Sequence, residues 1–351
     1  MARSPELRSP EADLSFTYDL LRALGLVCIL LAHSAPPRWL FHLRQFDVPL
    51  MVFVSGAVCA LGESAASRSY LAYVSKRVIR LLAPTFVFLT GYFFLAAWTA
   101  PGRFDERTIL RTFLLVDGIG YVWVLRVFLL VALLTHPLLW LKERCSDRVY
   151  LGVILGAYLL YEWLWGAFAP VVVHHGLLHY TVFYAIPYGC IFALGLRWPS
   201  FSRHRAAVWG VAGMLVWGAI TLWAHRHGDR INMWAYKYPP HFNYIWYAMG
   251  ACHLLLAGAL SLRVSASFKA PVLFLSRASL WIYLWHILAL NLAHELTVGV
   301  PASWRWLATF VIVTVVSVGL TLLQKMFVNR LLGDLEGRPR MRSCVRSALA
   351  V

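Results

Sequence analysis

Charge is scarce in this sequence. Asp, Glu, Lys and Arg make up 14% of the 351 residues, against 60% hydrophobic ones. A soluble domain carries about 25% charged residues, so a water-exposed globular chain is excluded. The mean hydropathy of +0.65 agrees, and no hydrophilic block is long enough for a second soluble domain. Cysteine is sparse too. The six residues (Cys28, Cys59, Cys145, Cys190, Cys252, Cys344) are scattered and form no CxxC pair. They read as small apolar or loop residues, not as a disulfide framework or a metal site. A cleavable leader is not expected. Arg3 and Arg8 are mixed with Glu6, Glu11 and Asp13, and no small-residue cleavage site follows a short apolar core.

Long apolar runs are what the sequence has in abundance. A helix needs about 20 apolar residues to cross the hydrocarbon core. Ten runs qualify, at about 19–36, 47–63, 81–99, 119–141, 149–167, 181–197, 206–224, 243–261, 272–291 and 304–326. The second is short and the ninth is interrupted by polar residues. Backbone polar groups in lipid must pair within the segment, so these are predicted helices. The expected fold is an all-α integral membrane bundle of about ten transmembrane helices. An N-terminal segment (1–18) precedes the transmembrane domain (19–327), and a basic tail (328–351) follows it.

The formal net charge is +16. In a soluble chain that would suggest nucleic acid. Here the basic residues lie between apolar runs, as membrane topology requires, and no nucleic-acid partner is expected. With the N-terminus cytoplasmic, the cytoplasmic segments hold roughly twenty Lys and Arg, including Arg3, Arg8, Arg68 and Arg263. The opposite side holds about nine, including Arg230. Both termini are therefore predicted to be cytoplasmic.

Three arginines fall inside predicted spans: Arg22, Arg126 and Arg277. A basic group at mid-membrane costs about 2.5–3.5 kcal/mol on insertion scales and usually faces the bundle interior. Near a helix end it can instead snorkel to the interface, and that alternative is strongest for Arg277. Arg22 shares its run with His33, eleven residues on. At about 100° per residue this spacing returns to the same face within about 20°, with a rise of about 16 Å. Asp19 lies one turn before Arg22 and can pair with it. A snorkelling Arg and an unrelated interfacial His would also satisfy this spacing.

With these residues the sequence resembles the membrane acyltransferase-3 family, polytopic bacterial enzymes that O-acylate sugars and other surface molecules. Arg-x10-His on the first helix is that family's hallmark, here Arg22 to His33 within "YDLLRALGLVCILLAH". Four further segments follow in the family's order. "FDVPLMVFVSGAV" (46–58) resembles its Phe-x-x-Ser-Gly run, with Ser55 and Gly56 in place. "YVSKRVIRLLAP" (73–84) resembles its basic segment, with Lys76, Arg77 and Arg80. "YVWVLRVFLLVALL" (121–134) resembles its Trp-containing span through Trp123 and Arg126, with Val124 where an aromatic is common. "FLSRASLWIYLWH" (274–286) resembles its late signature through Ser279, Tyr283 and His286. The likeness covers nearly the whole chain. The extra esterase-like domain of some members is not expected here.

The resemblance implies transfer of an acyl group, usually acetyl, from cytoplasmic acyl-CoA (acetyl-CoA) to a hydroxyl of an exported or lipid-linked carbohydrate. It also implies a bacterial inner-membrane location, with no permanently bound cofactor. Arg77 and Arg80, with Lys76, suit the phosphates of the donor through charge-assisted hydrogen bonds, although basic residues beside a span also serve topology. His33 is the candidate general base. Arg22 holds the donor side with Asp19, because about 16 Å separates it from His33. Ser55 and Ser279 are the only motif-placed hydroxyls for a covalent route, and direct transfer is preferred. Tyr283 and His286 share a face and line the cavity or orient the acceptor. Equally, they serve as an interhelical tyrosine and a core histidine.

A polytopic transporter or flippase whose Arg and His line a pathway is the competing class. His175 and His179 have i, i+4 spacing, but no Glu lies between them, and no metal site is expected. Trp234, Tyr236 and Tyr238 stack on sugar rings or form an interfacial belt.

Overall fold

The computed structural model describes residues 10–62, 69–228, 233–234, 236–262 and 264–351. Arg3, Arg8, Arg68, Arg230 and Arg263, which entered the charge count, lie outside the described residues. The chain folds as helices α1 (Pro10–His33), α2 (Arg38–Leu43), α3 (Asp47–Leu61), α4 (Tyr70–Thr99) and α5 (Glu106–Phe113). These lead into α6 (Trp123–Arg144), α7 (Asp147–His174), α8 (Gly176–Tyr180), α9 (Val182–Arg197) and α10 (Arg203–Arg226). The last five are α11 (Phe242–Ala259), α12 (Ala266–Arg277), α13 (Ser279–Leu296), α14 (Ala302–Asp334) and α15 (Pro339–Leu349). Among the described residues there is no strand, only an isolated bridge between Lys237 and Pro240.

Each predicted span contains helix. Among the described residues, eight helical segments are long and apolar enough to cross a membrane, and the pair α12–α13 makes a ninth if taken together. This is an all-α membrane bundle. The short α2 and α8 extend the spans of α3 and α9. The expected ninth span is not continuous. It bends by 75° between Arg277 and Ser279, and Ala278 both ends α12 and begins α13. Freed backbone of this kind is tolerated at membrane depth where it borders a cavity, and Ser276, Arg277 and Ser279 all do so. The expected span 119–141 begins later, at Trp123, because residues 114–122 form a loop. There the Asp117 carboxylate accepts from the Gly118 N–H, and φ at Gly118 is +56°. A Cβ on Gly118 would fall 2.0 Å from Thr112 Oγ1, so glycine is required.

Helix pairs in lipid gain little from the hydrophobic effect and rely on close packing. The α3–α9 crossing shows the limit of that approach. A Cβ on Gly56 would lie 2.2 Å from the Phe192 carbonyl oxygen, and one on Gly195 would lie 2.1 Å from that of Phe53. The Ser-Gly pair of the second span thus has a packing reason for its glycine. Gly213 and Gly250 allow a similar approach of α10 and α11.

Candidate active site

The face predicted on α1 is the wall of a cavity. Arg22, Leu26 and Ile29 line it at helical spacing, and one more turn along the same face brings His33. The cavity holds about 390 Å³. Its polar end collects Arg22, Arg77, Arg80 and Arg277, with Ser55, Ser276 and Ser279 along its sides and Tyr283 also in its lining. Apolar side chains, among them Met51, Val58, Leu125 and Phe128, complete the walls. Arg77 and Arg80 belong to α4, which starts at Tyr70, so the basic segment is part of that helix. The Arg77 guanidinium stacks over the Tyr73 ring at 5.4 Å. Lys76 is exposed and is not a lining residue.

At the arginine end, Asp19 meets Arg22 as expected, with Nη1 3.5 Å from Oδ1. A third member comes from α12. Ser276 donates its hydroxyl to Asp19 Oδ1 at 2.5 Å and accepts from Arg22 Nη1 at 3.2 Å. These contacts tie the first helix to the broken one and fix the guanidinium at the cavity wall. Ser55 donates to the Met51 carbonyl at 2.8 Å, one turn back on its own helix.

At the other end, His33 and His286 form a pair. His33 Nδ1 lies 3.0 Å from His286 Nε2, and the rings are tilted by only 24°. His286 is fully buried, and its Nδ1 faces the carbonyl oxygen of Tyr283. A carbonyl can only accept, so Nδ1 carries the proton and the neutral ring offers a lone pair at Nε2. That assigns the bridging proton to His33 Nδ1 and leaves the lone pair of His33 on Nε2. Tyr121 packs its ring against both imidazoles, with centroids 5.0 and 5.5 Å away. The Tyr283 hydroxyl donates to the Tyr121 backbone carbonyl. Tyr283 therefore connects the cavity to the histidine pair.

Arg126 lies outside the cavity lining. Its Nη1 donates to the carbonyls of Leu115 at 2.8 Å and Val116 at 2.5 Å, and its guanidinium stacks over Tyr180 and Tyr184. Leu115 sits at φ +57°, a conformation that costs a branched residue energy. Arg126 thus clamps the loop that carries Tyr121. Arg111 grips the same loop through Asp117 at 2.5 Å, and this hydrogen bond holds the Asp117 carboxyl below its ordinary range.

A second charged cluster escaped the sequence reading. Arg44 Nη1 lies 2.6 Å from Asp47 Oδ2, and Lys237 Nζ lies 3.3 Å from Asp47 Oδ1. All three are at most 4% exposed. Trp123 packs edge-on against Tyr238 at 4.9 Å, and the Lys237 ammonium lies 5.9 Å from the Trp123 ring. The charges of all three groups are close enough to act on His33. Asp47 was visible as an acid opening an apolar run, but its partner Lys237 is 190 residues away in a loop. The loop aromatics divide: Trp234 and Tyr236 are exposed, whereas Tyr238 packs inward.

The bundle thus holds a cavity lined by four arginines beside a buried histidine pair. The acyltransferase-3 family, described as an acyltransferase domain, matches residues 16–323. The chain belongs to this family and is a multi-pass membrane acyltransferase. No curated protein and no solved structure matches it.

Proposed function

We propose that the protein transfers an acyl group, most simply acetyl, from acyl-CoA to a hydroxyl of an exported or lipid-linked carbohydrate, with His33 as general base. The observation that carries this reading is the cavity wall of Arg22, Leu26 and Ile29, which runs from four arginines to one turn short of His33. Arg22, Arg77, Arg80 and Arg277 suit the donor's phosphates by forked, charge-assisted hydrogen bonds. The cavity volume lies within the usual range for ligand sites, roughly 300–1,000 Å³, and accommodates the pantetheine arm with its thioester near Tyr283. The arm spans the rise of about 16 Å between Arg22 and His33.

His33 Nε2, left basic by the hydrogen-bond chain through His286, takes the proton of the acceptor hydroxyl as its oxygen attacks the thioester carbonyl. Collapse of the tetrahedral intermediate breaks the C–S bond. His33 returns the proton to the departing thiolate, giving the ester and free CoA. Direct transfer is preferred, and a covalent route through Ser55 is disfavoured because its hydroxyl donates to the Met51 carbonyl and not to a histidine. The arginine end faces the cytoplasm, both termini lie on that side, and the acceptor approaches from the other side of a bacterial inner membrane.

The test is thiol release by the purified full chain with acetyl-CoA and surface-glycan extract. His33→Ala is expected to lower turnover by about 10²–10⁴-fold, the usual worth of a general base, with the donor KM nearly unchanged. Wild-type turnover by a folded His33→Ala protein would overturn the base assignment. Substrate movement without thiol release would instead favour a transporter.

A further inference from the structure

The Arg44–Asp47–Lys237 cluster combines two cations with one carboxylate in a buried setting. Asp47 accepts from both partners, so among the described residues two cations share one carboxylate and one positive charge has no counter-ion. Among the described residues, the other titratable groups near it are the histidine pair, several tyrosines and the thiols of Cys28 and Cys252. His33 and His286 are neutral in the proton assignment above. The nearest carboxylate on α7, Glu162, pairs with His241 and Tyr158. Uncompensated charge away from water is costly and is normally paired. Burial and Arg44 both pull the Lys237 ammonium down, with only Asp47 opposing.

Hydrogen-bonding groups without a partner occur on the residues of the cluster and their neighbours. Gln45 is fully buried, and neither its Oε1 nor its Nε2 has a protein partner. The same holds for the hydroxyls of Tyr188 and Tyr244, both fully buried, and for Arg44 Nε. Tyr244 presents its ring to the Lys237 ammonium at 5.9 Å, and Tyr188 lies within electrostatic reach of Asp47. An unpaired buried polar group costs roughly 1–3 kcal/mol. Several at one place, beside a surplus cation and within electrostatic reach of His33, are the features of a ligand site.

We propose that this cluster seats the acceptor, and that the acceptor carries an anionic group, a carboxylate or a phosphate, between Arg44 and Lys237. This rests on the acyl-transfer reading above, since it places the acceptor beside His33, opposite the donor cavity. Gln45 and the two tyrosine hydroxyls then bind the neutral part of the same molecule. The carboxylate of an acidic sugar and the phosphate of a lipid-linked or phosphorylated sugar share this chemistry.

The experiment uses the purified full chain in detergent and two matched probe pairs. Methyl glucuronide against methyl glucoside isolates a carboxylate, and glucose 1-phosphate against glucose isolates a phosphate. Thermal-shift titration without donor reads binding, and thiol release with acetyl-CoA reads transfer. Wild type is expected to bind the anionic member of at least one pair about tenfold or more tightly, the value of a charge-assisted hydrogen bond. The responding pair tells carboxylate from phosphate. Lys237→Met leaves Asp47 paired with Arg44 and is expected to bring the anionic-to-neutral ratio close to one. A Lys237 that only pins its loop would shift both members together and keep the ratio, and that result overturns the proposal. So does a wild-type ratio near one, which is decisive even where the variant does not fold. An anionic preference in binding without any thiol release sinks the transfer reading and leaves the anion site standing.

Discussion

Removing His286 tests the proton assignment most sharply, because His286 reaches the chemistry only through His33. In His286→Ala, the N–H at His33 Nδ1 loses its acceptor in a buried setting. An unsatisfied buried donor costs roughly 1–3 kcal/mol, or about fivefold to 150-fold in rate at 1.36 kcal/mol per decade. The loss arises because the His33 tautomer with a basic Nε2 is no longer favoured. It should therefore appear in kcat, with the acyl-CoA KM nearly constant, since the arginine end is untouched. His286→Gln offers a carbonyl oxygen in place of the lone pair and is expected to recover most of the activity. Stopped-flow thiol detection at saturating donor measures kcat, and thermal unfolding in detergent checks that the variants are folded. The reasoning is refuted if folded His286→Ala turns over like wild type. It is also refuted if glutamine is no better than alanine.

Three further outcomes are expected. Arg77→Ala combined with Arg80→Ala should raise the acyl-CoA KM about tenfold or more, as loss of charge-assisted contacts implies, and initial rates across a donor series measure it. Arg126→Met should free the loop that carries Tyr121 and lower kcat more than either KM, with faster hydrogen exchange in residues 114–121 as its physical signature. Gly195→Ala places a Cβ on the Phe53 carbonyl and should lower the midpoint of thermal unfolding by several degrees, with overpacking costing roughly 1–3 kcal/mol.

Much of the fold was legible because span length and lipid insolubility constrain the backbone strongly. Arg22, Asp19 and His33 were legible for a related reason, since a helix fixes which residues share a face. That reasoning ends at the helix surface. Ser276, which completes the arginine end, is 254 residues from Arg22, and no periodicity connects them. His286 was legible as a member of a face, but not as the partner of His33. Lys237 resembled any loop cation in a charge count, and only the folded chain brings it to Asp47. Arg126 was legible as a cation within an apolar run, and it is buried. Its placement beside the Leu115 and Val116 carbonyls depends on the fold of the loop before it, only the last residues of which fell within the predicted span.

The contact between α3 and α9 bears on how the enzyme opens. Where Gly56 and Gly195 meet, backbone touches backbone, with no layer of side chains to rotate or slide. Such a joint behaves as a weld. Ser55, next to Gly56, is part of the cavity wall, so that side of the cavity forms a fixed frame. Any change in the width of the cavity must then come from its other walls, among them the bent α12–α13 pair, which contributes Ser276, Arg277, Ser279 and Tyr283.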